Sequence, residues 1–365
     1  MAAPSTASES GVPMTGHGKL QVTTDAMVEI DEVEFFKSIF DLIQQARHTL
    51  EKNINTTMVV TYYEIGRRIV EKEQGGSKRA QYGKQILQGL SDYLTTQLGK
   101  GYSADNLRLM RKFYLVYSET AISETSFPKF NPNVSWSHYM ILMRIDDVKE
   151  RSFYEIEVAK NAWSFREFQR QFDSSLYERL ALSRNKEKVR ELAAKGQIIE
   201  NPRDLFKDPY VLEFTGLPEK AEYTETELEQ RLIDHLQQFL LELGKGFAFM
   251  GRQVRFTYEE ESFFVDLVFF NRLLRCFVLI DLKIGRLKHQ HIGQMQMYVN
   301  YYDRKVKLPE ENPTIGIVLC KDKKNAIVEM MLPEDNDQIF AGRYQTVLPS
   351  KEDLRKALAI GYEQV

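Results

Sequence analysis

Two apolar runs separated by a short turn make up the stretch FFVDLVFFNRLLRCFVLIDLKIG at residues 263–285, and both runs contain charged residues. Asp266 lies in the first run, and Asp281 and Lys283 lie in the second. Side chains two positions apart share one face of a strand, so Asp281 and Lys283 are expected to project together. The turn at 271–274 makes the runs neighbouring strands and places Asp266 beside this pair if the register permits. The sequence therefore predicts a hairpin on which three charges meet.

Burying these charges requires compensation, because an unpaired carboxylate is costly to remove from water. Lys283 can neutralise one acid, and the remaining negative charge suits Mg²⁺, which prefers carboxylate, carbonyl, water and phosphate oxygens. The carbonyl of Leu282 is a further candidate ligand. The alternative is a solvated Asp281–Lys283 salt bridge on an edge strand, worth about 0–1 kcal/mol. The apolar residues around the charges favour central strands over this alternative.

The elements around the hairpin predict an α/β domain, to which we assign residues 223–350, followed by a C-terminal helix or tail at 351–365. The predicted elements are a helix over 225–243, strands over 247–256, 262–270 and 274–284, a helix over 288–303 and a strand over 313–321, with short extra strands at 326–331 and near Gln338. This α-β-β-β-α-β order is typical of a compact sheet flanked by helices. Glu229 borders the sheet-facing side of the first helix, although an ordinary surface glutamate in a first turn fits the same pattern.

The rest of the chain predicts a second domain and its connections. Residues 33–185 repeat apolar residues at three- and four-residue spacing, which predicts helices. Residues 1–28 have too little apolar material to pack and predict a disordered tail. Residues 186–222 carry a charged helix, NKEKVRELAAKG, and then a stretch rich in helix breakers, and together they predict a linker. Cys276 and Cys320 lack metal-binding spacing and are predicted core residues of a reducing compartment. No apolar run approaches the roughly 18 residues of a membrane span, so we predict a cytoplasmic protein without membrane contact.

A basic helix in the first half is a candidate for nucleic-acid binding. Residues 61–120 contain ten Lys or Arg and six Asp or Glu, whereas the whole chain has a formal net charge of −3. Within this segment a helix, a glycine-containing turn and a second helix follow one another, and the second helix carries Arg108, Arg111 and Lys112. The order fits a helix-turn-helix DNA-binding unit, and a plain helical hairpin with a solvated basic face fits it as well.

The motifs VDLVFF and LIDLK, preceded by a helix that contains Glu229, resemble the PD-(D/E)xK nuclease superfamily. More narrowly, FLLELGKGFAFMGRQVRF, FVDLVFFNRLLRCFVLIDLKIG and YYEIGRRI resemble the bacterial YhcG-like family over nearly the whole chain beyond the tail. The resemblance implies a restriction-endonuclease-like α/β domain with an α-β-β-β-α-β core behind a helical domain. One position departs from the pattern, because YhcG-like chains more usually have Glu where Asp281 stands, which is one methylene shorter.

The resemblance also implies the residues of an active site. The counterparts of the family's catalytic residues are Glu229, Asp266, Asp281 and Lys283. The implied ligands of Mg²⁺ or Mn²⁺ are Asp266, Asp281, the Leu282 carbonyl and Glu229. Lys283 would orient the attacking water or help to deprotonate it, since burial is expected to lower the pKa of a lysine.

Two further segments contain candidate site residues. QMQMY places Gln294 and Tyr298 one helical turn apart, which is similar to the Q-x-x-x-Y element of RecB-type nucleases that contacts substrate or the catalytic lysine. The alternative is a stripe of packed helix residues. Arg252 and Gln253 in GRQ are candidate phosphate contacts, and His291 is expected to be exposed rather than to bind metal.

The resemblance implies a metal-dependent nuclease that hydrolyses phosphodiester bonds of DNA, in the manner of an endonuclease, in genome defence or DNA repair. RNA and branched DNA stay open as substrates, and a homodimer would suit a two-stranded one. The alternative from another class is a catalytically silent DNA-binding or assembly protein on a nuclease scaffold. The presence of all four motif residues favours the enzyme, because a binding module has no need of clustered buried acids.

Overall fold

The computed structural model describes residues 40, 44, 45, 50, 52–73, 80–118, 130–220, 222–323, 328, 330–333 and 335–363. The predicted tail at 1–28 lies outside the described residues, as do parts of the predicted short strand at 326–331. Residues 328, 330 and 331 are helical instead, so the strand prediction is wrong there. Within the described parts of the chain, none of the helices combines the length and the apolar character needed to cross a membrane.

The first half of the chain is helical, and we call residues 52–195 the helical half. Its helices are α1 (52–73), α2 (Ala80–Leu98), α3 (Ala104–Ser118), α4 (Trp136–Leu142), α5 (Val148–Asn161), α6 (Phe165–Asp173), α7 (Leu176–Leu182) and α8 (Lys186–Lys195). Helix α3 forms because apolar side chains recur on one face, and its buried residues are Leu107, Met110, Phe113 and Tyr117. The glycine turn between α2 and α3 has positive φ at Gly99 and Gly101, which confirms the predicted helix–turn–helix order.

Replacing Gly66 in α1 with alanine is expected to destabilise the helical half by about 1–3 kcal/mol. An alanine Cβ at this position would collide with the Met110 carbonyl of α3, which is backbone and has little freedom to move. Gly89 in α2 provides the matched control, because its added Cβ meets nothing within 4 Å. Gly89→Ala is expected to stabilise by about 0.5–1 kcal/mol. Urea unfolding measures both, and equal midpoints for the two variants would contradict the close α1–α3 approach.

The second half contains a mixed sheet, and we call residues 203–345 the sheet half. The six strands have the order β1-β6-β5-β4-β3-β2. Their bounds are β1 (Tyr210–Val211), β2 (Phe247–Tyr258), β3 (Glu261–Asn271), β4 (Cys276–Arg286), β5 (Ile315–Asp322) and β6 (Ile339–Gln345). Strands β2, β3 and β4 pair antiparallel, and β4, β5, β6 and β1 pair parallel.

Helices cover both faces of this sheet. Helices α9 (Glu225–Asp234) and α10 (Leu236–Leu243) cover one face, and α11 (His289–Tyr301) covers the other. The first apolar core includes Leu228, Leu232, Phe239, Leu267, Phe269, Ile280 and Leu282. The second includes Val265, Leu279, Met295, Tyr298, Val299 and Val318. The predicted α-β-β-β-α-β order is thereby confirmed, and the strand near Gln338 is β6.

The predicted linker at 186–222 is wrong, because this segment is built into both halves. Helix α8 packs on α5, and Asn185 caps it by accepting a hydrogen bond from the Lys188 N–H at 3.0 Å. Strand β1 adds to the sheet beside β6. The predicted helix over 225–243 also differs, since it breaks at His235 into α9 and α10.

The two halves contact each other through buried charge. Arg179 of α7 pairs with Glu242 of α10 at 2.5 Å, and both side chains are fully buried. The last helix, α12 (Lys351–Glu363), returns to the helical half, where Arg355 pairs with Glu150 at 2.9 Å. The halves are therefore joined at two places that lie far apart in sequence.

Candidate active site

The site lies where strands β3 and β4 stop pairing. The last paired positions are Leu267 and Ile280, and the next positions along the two antiparallel strands are Asp266 and Asp281. Strand β3 also rolls over at this point, which means that side chains two residues apart no longer lie on the same face of the sheet. Val265 packs on the α11 face although Leu267, two residues on, packs on the α9 face. The roll leaves Asp266 between the two cores and half-buried at the open end of the ladder.

Asp266 is held in place by two hydrogen-bond donors. The backbone N–H of Leu282 donates to its Oδ2 at 2.8 Å, and the side-chain amide of Gln253 donates to its Oδ1 at 3.0 Å. The first contact takes the place of a ladder hydrogen bond between the separating strands. It fixes the Asp266 carboxylate directly beside the Asp281–Leu282 peptide.

Asp281 and Lys283 form an ion pair on the α11 face of β4, as their spacing predicts. The carboxylate Oδ2 lies 3.0 Å from Lys283 Nζ, and Asp281 is only 2% exposed. Strand β4 lies between β3 and β5, so the alternative of a solvated edge-strand pair is wrong. Burial raises the pKa of Asp281 to about 7, with Lys283 opposing the rise and Asp266 adding to it.

Lys283 keeps its charge, contrary to the expectation that burial lowers its pKa. Burial does act in that direction, but the nearby carboxylates of Asp281 and then Glu225 outweigh it, and the pKa of Lys283 is raised. Glu225 lies in the first turn of α9, with its Oε2 3.5 Å from Lys283 Nζ. Glu225 is not among the predicted site residues, and its only signal in the sequence is its position in the first turn of the helix that carries Glu229.

Glu229 reaches the same site from α9. A capping box between Thr224 and Glu227 starts this helix, and one turn of helix then carries Glu229 to the sheet-facing side. The residue is 7% exposed, so the alternative of an ordinary surface glutamate is wrong. Burial raises the pKa of Glu229, and the charge of Asp266 adds to the rise. Gln253 donates to its Oε2 at 2.5 Å.

The donor atoms of the site suit a hard divalent cation. Among the residues that the structure describes, no three His, Cys, Asp or Glu side chains are drawn together as a preformed metal cluster. Asp266 nevertheless shares the Gln253 amide with Glu229 and lies beside Asp281, and its charge contributes to the raised pKa values of both acids. Oxygen donors with unbalanced negative charge are what Mg²⁺ and Mn²⁺ require.

Helix α11 forms the opposite wall. The Gln294 amide donates to the Tyr298 hydroxyl at 2.6 Å, so the predicted pair shares one face. The prediction that Tyr298 contacts nucleic acid is wrong, because the residue is 1% exposed and its ring packs edge-on against Phe256. His291 is half-buried, so the prediction that it is exposed is wrong. Burial lowers the pKa of His291, and the positive charge of Lys283 lowers it further.

Most of the predicted nucleic-acid contacts already have protein partners. Arg108 pairs with Asp105, and Arg111 pairs with Glu73 at 2.6 Å. Lys112 is exposed on the same helix. On β2, Arg252 is exposed and donates to Gln230 at 2.8 Å, and the Gln253 amide contacts two carboxylates in place of the predicted phosphate.

Comparison with known proteins identifies the family of the chain. Residues 203–359 match the model of the YhcG PDDEXK nuclease domain, and residues 38–179 match that of the DUF1016 N-terminal domain. The chain is 38% identical over 345 residues to YhcG of Escherichia coli (strain K12), covering 88% of this chain and 92% of that protein. A crystal structure of a repair endonuclease from Pyrococcus abyssi overlaps with 36% of this chain and 50% of its own, at 14% identity and a TM-score of 0.25. The chain is therefore a member of the YhcG family, with a nuclease domain of the PDDEXK type.

Proposed function

We propose that the protein is a metal-dependent endonuclease that hydrolyses phosphodiester bonds of DNA. The observation that carries the proposal is the meeting of Asp266, Asp281 and Lys283 at the open end of the β3–β4 ladder, with Glu229 reaching it from α9. Acids that are buried close together, as Glu229 and Asp281 are beside Asp266, are costly to a fold that has no use for them. Their cost is explained if the site holds a cation and a phosphate.

Asp266, Asp281 and the Leu282 carbonyl would hold Mg²⁺ or Mn²⁺, and Glu229 would assist. When bound, such an ion supplies Lewis acidity at the phosphate and lowers the pKa of a water. The protein's own contribution is to hold these oxygens in place. The Leu282 N–H fixes Asp266 at 2.8 Å, and Lys283 fixes Asp281 at 3.0 Å.

Lys283 acts as a cation in this proposal. Its raised pKa makes it a poor base and a good hydrogen-bond donor, so it would orient the attacking water and stabilise the charge that develops on the phosphate. Glu225, 3.5 Å away, holds the ammonium from the solvent side. Gln294 is exposed at the start of α11 and would contact the substrate beside it.

The helical half would bring DNA to the site. Lys112 is exposed on the predicted basic helix, and Arg108 and Arg111 would have to exchange their carboxylate partners for phosphates. A homodimer would present two sites to a two-stranded substrate. We place the protein in the cytoplasm, where genome defence or DNA repair would use this activity.

Removing the metal or neutralising Asp266 is expected to abolish cutting. Purified protein should convert supercoiled plasmid DNA to nicked and linear forms with Mg²⁺ or Mn²⁺, and chelation by EDTA should stop it. Asp266→Asn keeps the side-chain volume but removes a charged ligand, and its cutting rate is expected to fall at least about 100-fold. Gel electrophoresis measures both effects.

Two outcomes of this experiment would contradict the proposal. Equal cutting by the native protein and Asp266→Asn would place the activity elsewhere or in a contaminant. Strong DNA binding in a gel shift without cutting under any divalent metal would favour a catalytically silent DNA-binding protein. Parallel lanes with RNA and branched DNA define the substrate.

A further inference from the structure

Gln253 has a backbone φ of 45°, a conformation that residues other than glycine rarely adopt. Strand β2 rolls over at this residue. Arg252 pairs with Leu267, which packs on the α9 face of the sheet, whereas Val254, two residues further on, packs on the α11 face. The flanking pairs, Arg252 with Leu267 and Val254 with Val265, place Gln253 opposite Asp266. Strand β3 rolls over at Asp266 as well. Strained backbone of this kind persists where the surrounding structure holds it, most often at functional sites.

The roll directs the Gln253 side chain between two carboxylates. Its amide nitrogen lies 2.5 Å from Glu229 Oε2 and 3.0 Å from Asp266 Oδ1. A primary amide has two N–H groups, so one group can serve each acid. One side chain from the edge strand thus connects the acid of α9 with the acid of β3.

No salt bridge accompanies this amide bridge in the described residues, although the charge of Arg252 acts on Glu229 and opposes the rise in its pKa that burial causes. Within the described part of the chain, neither Glu229 nor Asp266 forms a salt bridge, since the ammonium of Lys283 pairs with Asp281 and Glu225 instead. The Gln253 amide bridges the two carboxylates without bringing a positive charge to them. A lysine in the same place would cancel part of their negative charge and compete with any cation.

We propose that Gln253 is a positioning residue that sets the spacing of Glu229 and Asp266 and orients both carboxylates for a divalent cation. The second part of this inference rests on the proposed function. Gln253 touches neither substrate nor reacting atoms in this role, and it acts through the two acids. Outer partners of metal ligands typically change metal affinity or activity about 10–100-fold when they are removed.

The spacing role is tested in metal-free protein by a double-mutant cycle. Gln253→Met preserves length and removes both donors, and it is expected to lower the melting temperature because the acids then face each other directly. In a Glu229→Gln background this repulsion is already gone, and the same substitution is expected to lower the melting temperature less. Thr257→Ala, at an exposed position of the same strand, is the control and is expected to give the same shift in both backgrounds. Equal shifts for Gln253→Met in both backgrounds would overturn the proposal.

The cation role is tested by calorimetric titration of the full chain with Mn²⁺. Gln253→Met is expected to weaken binding about 10–100-fold, and Gln253→Lys is expected to weaken it further although it restores a donor. Raising the Mn²⁺ concentration should restore plasmid cutting by Gln253→Met, with KM for DNA unchanged. A Gln253→Met protein that binds Mn²⁺ as tightly as the native chain would overturn this role. A native chain that binds no Mn²⁺ would contradict the proposed function, and the metal-free cycle would still decide the spacing role.

Discussion

Replacing Lys283 with methionine is expected to lower the rate of DNA cutting by about 100- to 1,000-fold, the usual effect of removing one group that stabilises charge in a transition state. Methionine matches the length of the lysine stem and fills the same space. The variant loses the ammonium that lies 3.0 Å from Asp281 and 3.5 Å from Glu225. The fold is expected to persist, because Asp281 with its pKa of about 7 can take up a proton once its partner is gone.

The measurement is kcat on supercoiled plasmid at saturating Mg²⁺, with far-ultraviolet circular dichroism to verify folding. Lys305→Met is the matched control, since Lys305 is exposed beyond the far end of α11 and is expected to keep the native rate. Lys283→Arg keeps the charge but changes its shape, and it is expected to cut more slowly than the native protein. Native-like cutting by Lys283→Met would remove Lys283 from the site.

The sheet could be predicted from the sequence because its central strands are long apolar runs with a short turn between them. Strands β3 and β4 are long enough for their apolar pattern to predict strands, and the two-residue spacing of Asp281 and Lys283 predicts that their side chains share a face. Strand β1 could not be found in this way, because it has two residues, Tyr210 and Val211, and no measurable period. The break at His235 also escaped, since apolar residues continue at helical spacing across it.

Apart from Asp266, which the hairpin predicts, and Glu229, which the family motif implies, the site could be predicted only where it is local in sequence. Asp281 and Lys283 are two residues apart, and their contact follows from strand geometry alone. Glu225 and Gln253 reach the site from α9 and from the edge strand, and neither residue type at such a position signals a role. Glutamine has no preference for positive φ, so the roll of β2 leaves no mark in the sequence.

The charge state of Lys283 depends on the fold in the same way. Burial alone predicts a lowered pKa, and only the positions of Asp281 and Glu225 in the folded protein reverse the direction. The pairing of the basic residues on α3 also depends on the fold. Sequence gives the positive charges of Arg108 and Arg111, but not the acids that pair with them.

Breaking the buried ion pair between the two halves is expected to have the largest effect on stability. Arg179 donates to Glu242 at 2.5 Å, to the Ser174 carbonyl at 2.8 Å and to the Pro209 carbonyl at 3.0 Å, with no exposed surface. Glu242 also accepts from the Val211 N–H at 2.8 Å. Arg179→Met leaves this carboxylate buried without its main partner and is expected to cost about 3–5 kcal/mol of unfolding free energy, measured by urea titration.

A second substitution separates the free-energy cost of leaving Glu242 charged without Arg179 from the contribution of the Arg179–Glu242 pair to stability. Arg179→Met with Glu242→Gln removes both charges together, keeps a hydrogen-bond acceptor near Val211, and is expected to recover part of the loss. Lys207 limits this recovery, because its ammonium lies 3.8 Å from Glu242 and burial lowers its pKa to about 7. Once Glu242 is neutral, Lys207 can lose its proton more easily, so the double variant should be more stable above pH 7 than below it. If the double variant is no more stable than Arg179→Met at any pH, the pair contributes through geometry rather than through compensation of buried charge.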